Sequence, residues 1–303
     1  MEVPEIPDLI LYAIPFFIIT LIIEIIVDVR EKANAYETKD AITSISMGLG
    51  NVFLGILSKA LIFGVFIFVY ENFRFFAIPF TWWAWILILF ADDIAYYWFH
   101  RISHESRFFW ASHIVHHSSQ KYNLSTALRQ TWTGNFSGFI FWLWLPLLGF
   151  HPIMILAQMS ISLIYQYWIH TELIKKMPNW FEAVFNTPSH HRVHHATNPQ
   201  YLDRNHAGIF IIWDKWFGTF IPEVEKPVYG LVKNINSFNP LYVAFHEWIA
   251  LFKDVFTSKT SFINRLKYIV KPPGWKHDGT GILSDDIRRG NPIPNPSQRE
   301  GNK

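Results

Sequence analysis

Cysteine is absent from the 303 residues. That excludes disulfides, thiolate chemistry and Cys-built zinc sites, and leaves histidine and carboxylate as the metal ligands on offer. Charge is scarce as well. Asp, Glu, Lys and Arg make up 17% of the chain, against about a quarter in an average soluble domain. The net charge is only +2, so no nucleic-acid partner is drawn in by bulk electrostatics. No flavin, haem or nicotinamide fingerprint is present, and the electron donor, if one is used, stays unnamed.

What abounds is apolar. Half the residues are hydrophobic and 18% are aromatic, and they are gathered into runs. A helix crossing a bilayer needs roughly 20 mostly apolar residues. Residues 9–27 qualify, interrupted by Pro15 and Glu24, and 47–70 qualify with Lys59 as the one charge. Residues 81–99 qualify apart from Asp92 and Asp93. The region 134–169 is broken at Gly149-Phe150-His151-Pro152 and reads as a hairpin of two short spans, 134–149 and 152–169. The leader Met1–Asp8 is acidic and lacks a small-residue cleavage site, so the first run is expected to be a span rather than a signal peptide. The expected fold class is all-α: an integral, multi-pass membrane bundle of about four to five spans with a helical cap.

One domain is expected over 1–285, its cap drawn from 100–133 and 170–285, followed by a polar tail at 286–303. A hairpin crosses twice, so His170 and His191 return to the membrane face on which His100 emerges. Arg101, Arg107, Lys121, Arg129, Lys175, Lys176 and Arg192 collect on that face, and the positive-inside rule makes it cytoplasmic. The stretch Ala207–Phe220, with Trp213 and Trp216, reads as interfacial or cap-packing.

The chain is organised around its histidines. His100 and His104 stand four apart. His113, His116 and His117 form an H-x-x-H-H unit, which His191, His194 and His195 repeat. Residues three and four apart share a helix face, so each cluster is expected to project together. A single histidine near an apolar helix is usually a hydrogen-bonded core residue, but eight in three such clusters are not explained that way. Neutral imidazole binds zinc, copper, iron and nickel, and eight donors are more than one ion takes. A two-metal site is expected, and so many nitrogens suit dioxygen activation at paired irons better than a zinc hydrolase with its few ligands and open position.

Gln166 and His170, four apart, end the fifth run, and His170 is a ninth candidate. His190 is an alternative to His191, and His206 a weaker candidate. His151, His246 and His277 read as structural. Asp93 stands on one stripe with Tyr97, His100 and His104. It either orients His100 as a carboxylate acceptor or, with Asp92, pairs with Lys59 or interfacial arginines.

These histidine motifs on a membrane chain resemble the fatty acid hydroxylase and sterol desaturase superfamily. The resemblance implies a non-haem diiron, dioxygen-dependent enzyme with a cytoplasm-facing cap over transmembrane helices. The stretches Tyr96–Arg101, His116–Ser119, Tyr122–Gln130, Tyr165–Glu172, Asn186–His195 and Ile211–Phe220 are similar to the branch that cleaves ether lipids, with likeness running from about Asp92 to Trp275. That implies hydroxylation of the alkyl carbon beside the ether oxygen of an O-alkylglycerol, with collapse to a fatty aldehyde and a glycerol. It further implies a lipid substrate entering from the bilayer, dioxygen, and tetrahydrobiopterin as reductant. It carries over His100, His104, His113, His116, His117, His170, His191, His194 and His195 as iron ligands, and Glu105 as a functional carboxylate. The residues alone place Glu105 only beside the site, or as a solvated helix-end charge. His206, within Asn205–Gly208, departs from the branch. A sterol, carotenoid or fatty acid hydroxylase or desaturase with the same centre is the alternative, and a zinc-dependent membrane hydrolase the third.

Overall fold

The computed structural model describes residues 7–290. Nine helices carry the architecture: α1 Leu9–Glu31, α2 Thr38–Phe73, α3 Trp82–Glu105, α4 Arg107–His117, α5 Pro152–Trp168, α6 Pro188–His194, α7 Pro240–Thr257, α8 Phe262–Val270 and α9 Ser284–Arg288. Five further short helices and two 3-10 segments join them, and the described residues contain isolated bridges but no strand.

Local chemistry sets the helix ends. Asp8 caps α1 by accepting from the Ile10 and Leu11 amides, and the helix stops where Lys32 turns left-handed. Glu37 caps α2 through the Asp40 amide. Pro152 and Pro240 occupy first-turn positions of α5 and α7, where a missing N–H costs nothing. α1 and α2 are long and apolar enough to cross a membrane. α3 has the length, at 24 residues, but is rich in Trp and Tyr and carries Asp92 and Asp93.

Gly134–Leu148 is not one continuous helix. It runs as Gly134–Gly138, a 3-10 segment Phe139–Trp142, and Trp144–Leu148. Glycines at 134 and 138 and Pro146 weaken the helical ladder there. At 1.5 Å per residue the whole stretch reaches about 22 Å, short of a bilayer core of about 30 Å. It turns back into α5 at Gly149, whose φ of +108° favours glycine, and where a Cβ would stand 2.1 Å from the Phe76 carbonyl oxygen.

That turn and the α2–α3 connection share one end of the bundle, since Phe75 N–H donates to Leu147 O at 2.8 Å and Ile78 N–H to Gly149 O at 3.1 Å. Between the ends, Ile62, Phe66, Ala84, Ile88, Trp142, Leu145, Met154 and Ile155 form the main core. The opposite end is polar. There Glu24 of α1 accepts from the Leu124 amide, the Thr171 hydroxyl and Tyr36, and Asp40 of α2 pairs with buried Arg129 at 2.6 Å. All the histidine motifs meet at this end.

Two stretches gain detail here. At the start of the expected polar tail, Ser284–Arg288 is helical and Arg288 donates to Leu202 O at 2.5 Å; residues 291–303 lie outside those described. In Ala207–Phe220 the tryptophans divide: Trp213 is buried in the cap while Trp216 is 72% exposed.

Candidate metal centre

The nine histidines from His100 to His195 converge, but not motif by motif. His100, His104, His113, His117 and His194 form one group, and His116, His170, His191 and His195 a second, each with a ligand nitrogen per residue within 4.8 Å of the others. The expectation that each H-x-x-H-H unit projects together is corrected by helix geometry. Positions i and i+4 differ by about 40° around the axis, whereas i+3 and i+4 differ by about 100°. So His113 and His117 serve the first group and His116 the second, while His191 and His195 serve the second and His194 the first. Each motif straddles both groups and so holds them side by side.

The donors are set up for metal. A carbonyl only accepts, so a ring nitrogen facing one must carry the proton. His100 Nδ1 lies 2.7 Å from His206 O, His170 Nδ1 2.7 Å from Gln166 O, His194 Nδ1 2.9 Å from Arg204 O, and His116 Nδ1 3.3 Å from Arg129 O. The Nε2 lone pairs are left facing inward, where they crowd together. His100 and His113 approach at 2.9 Å, His113 and His117 at 3.0 Å, His117 and His194 at 3.1 Å. In the second group the spacings are 3.1 Å for His116 and His170, 3.0 Å for His170 and His191, and 3.2 Å for His191 and His195. Two nitrogens bound about 2.1 Å from one ion at right angles lie about 3 Å apart. The Nε2 of His104 is buried without any hydrogen-bond partner. The donor set fits a pair of metal ions.

Electrostatics point the same way. Burial, and then the neighbouring imidazoles, push His113, His117, His191, His194 and His195 well below the usual imidazole value. Burial brings His116 down to about 4. At neutral pH these rings are uncharged, the form that ligates.

The surrounding shell was mostly invisible in the sequence. Asp203 sets its carboxylate 3.1 Å from His104 Nδ1 and is approached by Arg288 at 3.8 Å. It does so from a left-handed backbone position, φ 51°, that Asp tolerates. Nothing in Tyr201-Leu202-Asp203-Arg204 signals this. Arg129 holds Asp40, Ser44 and Ser118 while its carbonyl takes His116. Glu24 did leave a signal, as a carboxylate in an apolar run.

Neither expectation for Asp93 holds. Its oxygens accept from the Ile209 and Phe210 amides and the Trp213 indole at 2.6, 2.9 and 2.8 Å, and Asp92 accepts from the Trp142 indole at 2.7 Å. A buried carboxylate takes the nearest unpaired amides, and the loop after His206 supplies them. Asp93 therefore acts on the site indirectly. It fixes the loop that Asn186, just before α6, also grips through Ala207 O at 2.6 Å, and that loop begins at the His206 carbonyl on His100.

His206 is buried beside the first group, its ring 5.1 Å from that of His104, but its donors lie outside both groups. His190 turns away to Thr187 at 3.3 Å and Glu182 at 3.7 Å. His151 caps α5, His246 bonds its own helix and His277 meets Tyr268. Glu105 is placed in neither group: it is half-exposed and pairs with Arg101 at 2.8 Å.

Comparison with known proteins adds a family to this geometry. Residues 85–219, which hold all nine converging histidines, match the fatty acid hydroxylase family. The alkylglycerol monooxygenase of Homo sapiens is 41% identical over 274 residues, covering 89% of this chain and 61% of that protein. Those of Xenopus tropicalis and Danio rerio are 39% and 41% identical over 275 residues, covering 90% of this chain and 61% of each relative. The chain thus spans about three fifths of the length of these curated relatives. No solved structure matches it. The resemblance carried by the histidine motifs is borne out: residues 85–219 match the fatty acid hydroxylase family, and about nine tenths of the chain is similar to curated alkylglycerol monooxygenases.

Proposed function

We propose that this chain is a membrane-integral, diiron, dioxygen-dependent lipid monooxygenase whose substrate is an O-alkylglycerol. The observation that carries the reading is the convergence of nine imidazoles, all buried except the half-buried His113 and His116, into adjoining groups of five and four. Bound there, two irons supply dioxygen activation and the oxidation of an otherwise inert C–H bond. The protein's part is to hold neutral Nε2 donors in place through backbone carbonyls and Asp203. Glu105, which follows His104 at the end of α3, keeps a role at the rim as a functional carboxylate outside the ligand set.

α1, α2 and α3 cross the membrane, the Gly134–Trp168 hairpin dips into it from the histidine end, and that end faces the cytoplasm, where basic residues collect. A cleft of about 190 Å3 between α1 and α5 is lined by Phe16, Thr20, Glu24, Tyr167 and Thr171 and is mainly apolar. It reaches the residues flanking His170 and suits lateral entry of a lipid whose polar end meets Glu24 and Thr171. Hydroxylation of the carbon beside the ether oxygen puts one oxygen atom into substrate and reduces the other to water, with two electrons from tetrahydrobiopterin. The resulting hemiacetal collapses to fatty aldehyde and glycerol.

The test is fatty aldehyde release by purified, iron-loaded protein given an alkylglycerol, dioxygen and tetrahydrobiopterin. The expected result is aldehyde that requires all three and disappears in His113→Ala. Two bound irons and no aldehyde would overturn the ether substrate, and full iron with full activity in His113→Ala would overturn the centre.

A further inference from the structure

The helices after the histidine centre carry apolar surface that no other described residue covers. On α7, Leu241, Tyr242, Phe245, Ile249, Phe252 and Phe256 are all exposed, and on α8 so are Phe262, Ile263, Leu266 and Val270. At about 100° per residue, each set falls in an arc about 100° wide. The opposite faces are the buried ones: Val243, Ala244 and Leu251 on α7 and Tyr268 on α8, with Leu251 and Tyr268 packed around Ala111 of α4. Both stripes therefore turn away from that shared cluster.

Charge surrounds the stripes with one sign. Residues 240–277 contain Lys253, Lys259, Arg265, Lys267, Lys271 and Lys276 but only two acids, Glu247 and Asp254. Both acids are spent on Arg107, at 2.7 and 2.6 Å. Lys253 and Lys267 lie just beyond the apolar arcs on their helices, about 20–40° from the nearest stripe residue.

The position in the fold fits as well. Phe245 packs its ring 6.1 Å from Trp132, whose indole donates to Met47 O at 2.9 Å on α2. Immediately beyond, α2 exposes Leu49, Val52 and Phe53, the start of its apolar band. The α7 stripe thus begins level with the point where α2 becomes apolar on its outside.

We propose that α7 and α8 form an amphipathic hairpin seated in the lipid–water interface, its apolar stripes among the upper acyl chains and its lysines on anionic headgroups. Helices of this kind sink about 5–10 Å into the headgroup–acyl boundary, and lysine stems reach along apolar surface to leave the ammonium at the phosphates. This attachment is separate from the crossings by α1 and α2 and anchors the cap that carries α4.

The cysteine-free sequence makes the test direct. Single variants Ile249→Cys, Phe252→Cys, Phe256→Cys and Ile263→Cys, with Thr257→Cys and Lys259→Cys as polar-side controls, are labelled with an environment-sensitive dye. The whole 303-residue chain is reconstituted in liposomes containing phosphatidylglycerol, and variants that keep wild-type metal content are read. The four stripe labels are expected to shift to the blue and to be quenched by nitroxides on the upper acyl chain, with the two controls unshifted. Water-like emission at the stripe would overturn the proposal. So would blue emission without lipid-borne quenching, which would mean a protein surface, a second copy included, covers the stripe. Equal quenching in pure phosphatidylcholine would overturn the anionic partner.

Discussion

His116 and His170 point their Nε2 atoms at one another across 3.1 Å while the Nδ1 of each is committed to a backbone carbonyl. Neither neutral ring has a proton left for the other, so two lone pairs face each other in a buried site. A shared cation turns that repulsion into coordination. His170→Ala is therefore expected to empty the four-imidazole group and leave the five-imidazole group loaded, which removes about half the bound metal. Elemental analysis of the purified variant decides it; wild-type metal content would refute the pairing.

Asp203 is expected to matter through His104 alone. Asp203→Asn keeps the shape but replaces the carboxylate that fixes the ring. Loss of such a partner lowers metal affinity about 10–100-fold. Chelator competition on wild type and variant reads this, and equal affinities would show that the carboxylate is only structural.

Six histidines of the cap make the metal-free protein acid-sensitive. His113, His117, His191, His194 and His195 lie well below the ordinary 6.5, and His116 at about 4. Stability from keeping these rings neutral is fully present above the unfolded value and is lost as pH falls through the folded ones. Chelator-treated protein should lose thermal stability steeply from about pH 6.5 to 4. A melting temperature that stays flat across that window would sink the assignment.

Arg129 is buried against Asp40, 1% and 5% exposed. Removing one partner of such a pair leaves an uncompensated buried charge, at about 3–5 kcal/mol. Arg129→Ala should fall in that range, and Arg129→Met with Asp40→Leu should cost clearly less. Thermal unfolding in detergent compares them. Similar losses from both would mean the pair's charges are not what holds α2 to the cap.

Legibility tracked the range of the interaction. The apolar runs of α1 and α2 and the donors His100, His104, His113 and His195 follow from composition and spacing within a turn or two of helix. The choice of His191 over His190 also rested on local periodicity. Asp93 was misread because its partners, Ile209 and Phe210, lie more than a hundred residues away. Asp203 carried no local pattern at all.

The sequence by itself determined that imidazoles would be numerous, helix-borne and set among apolar spans, because those properties depend on residue type and the period of one helix. Tertiary structure decided which histidines each arm of an H-x-x-H-H unit joins to make the two groups. The direction of an i+3 side chain is fixed by its own helix, but what it meets there depends on how α4, α6 and the end of α5 are packed. It likewise decided which carbonyl holds each Nδ1, since hydrogen-bond partners in a buried site are whatever the fold brings within 3 Å or so.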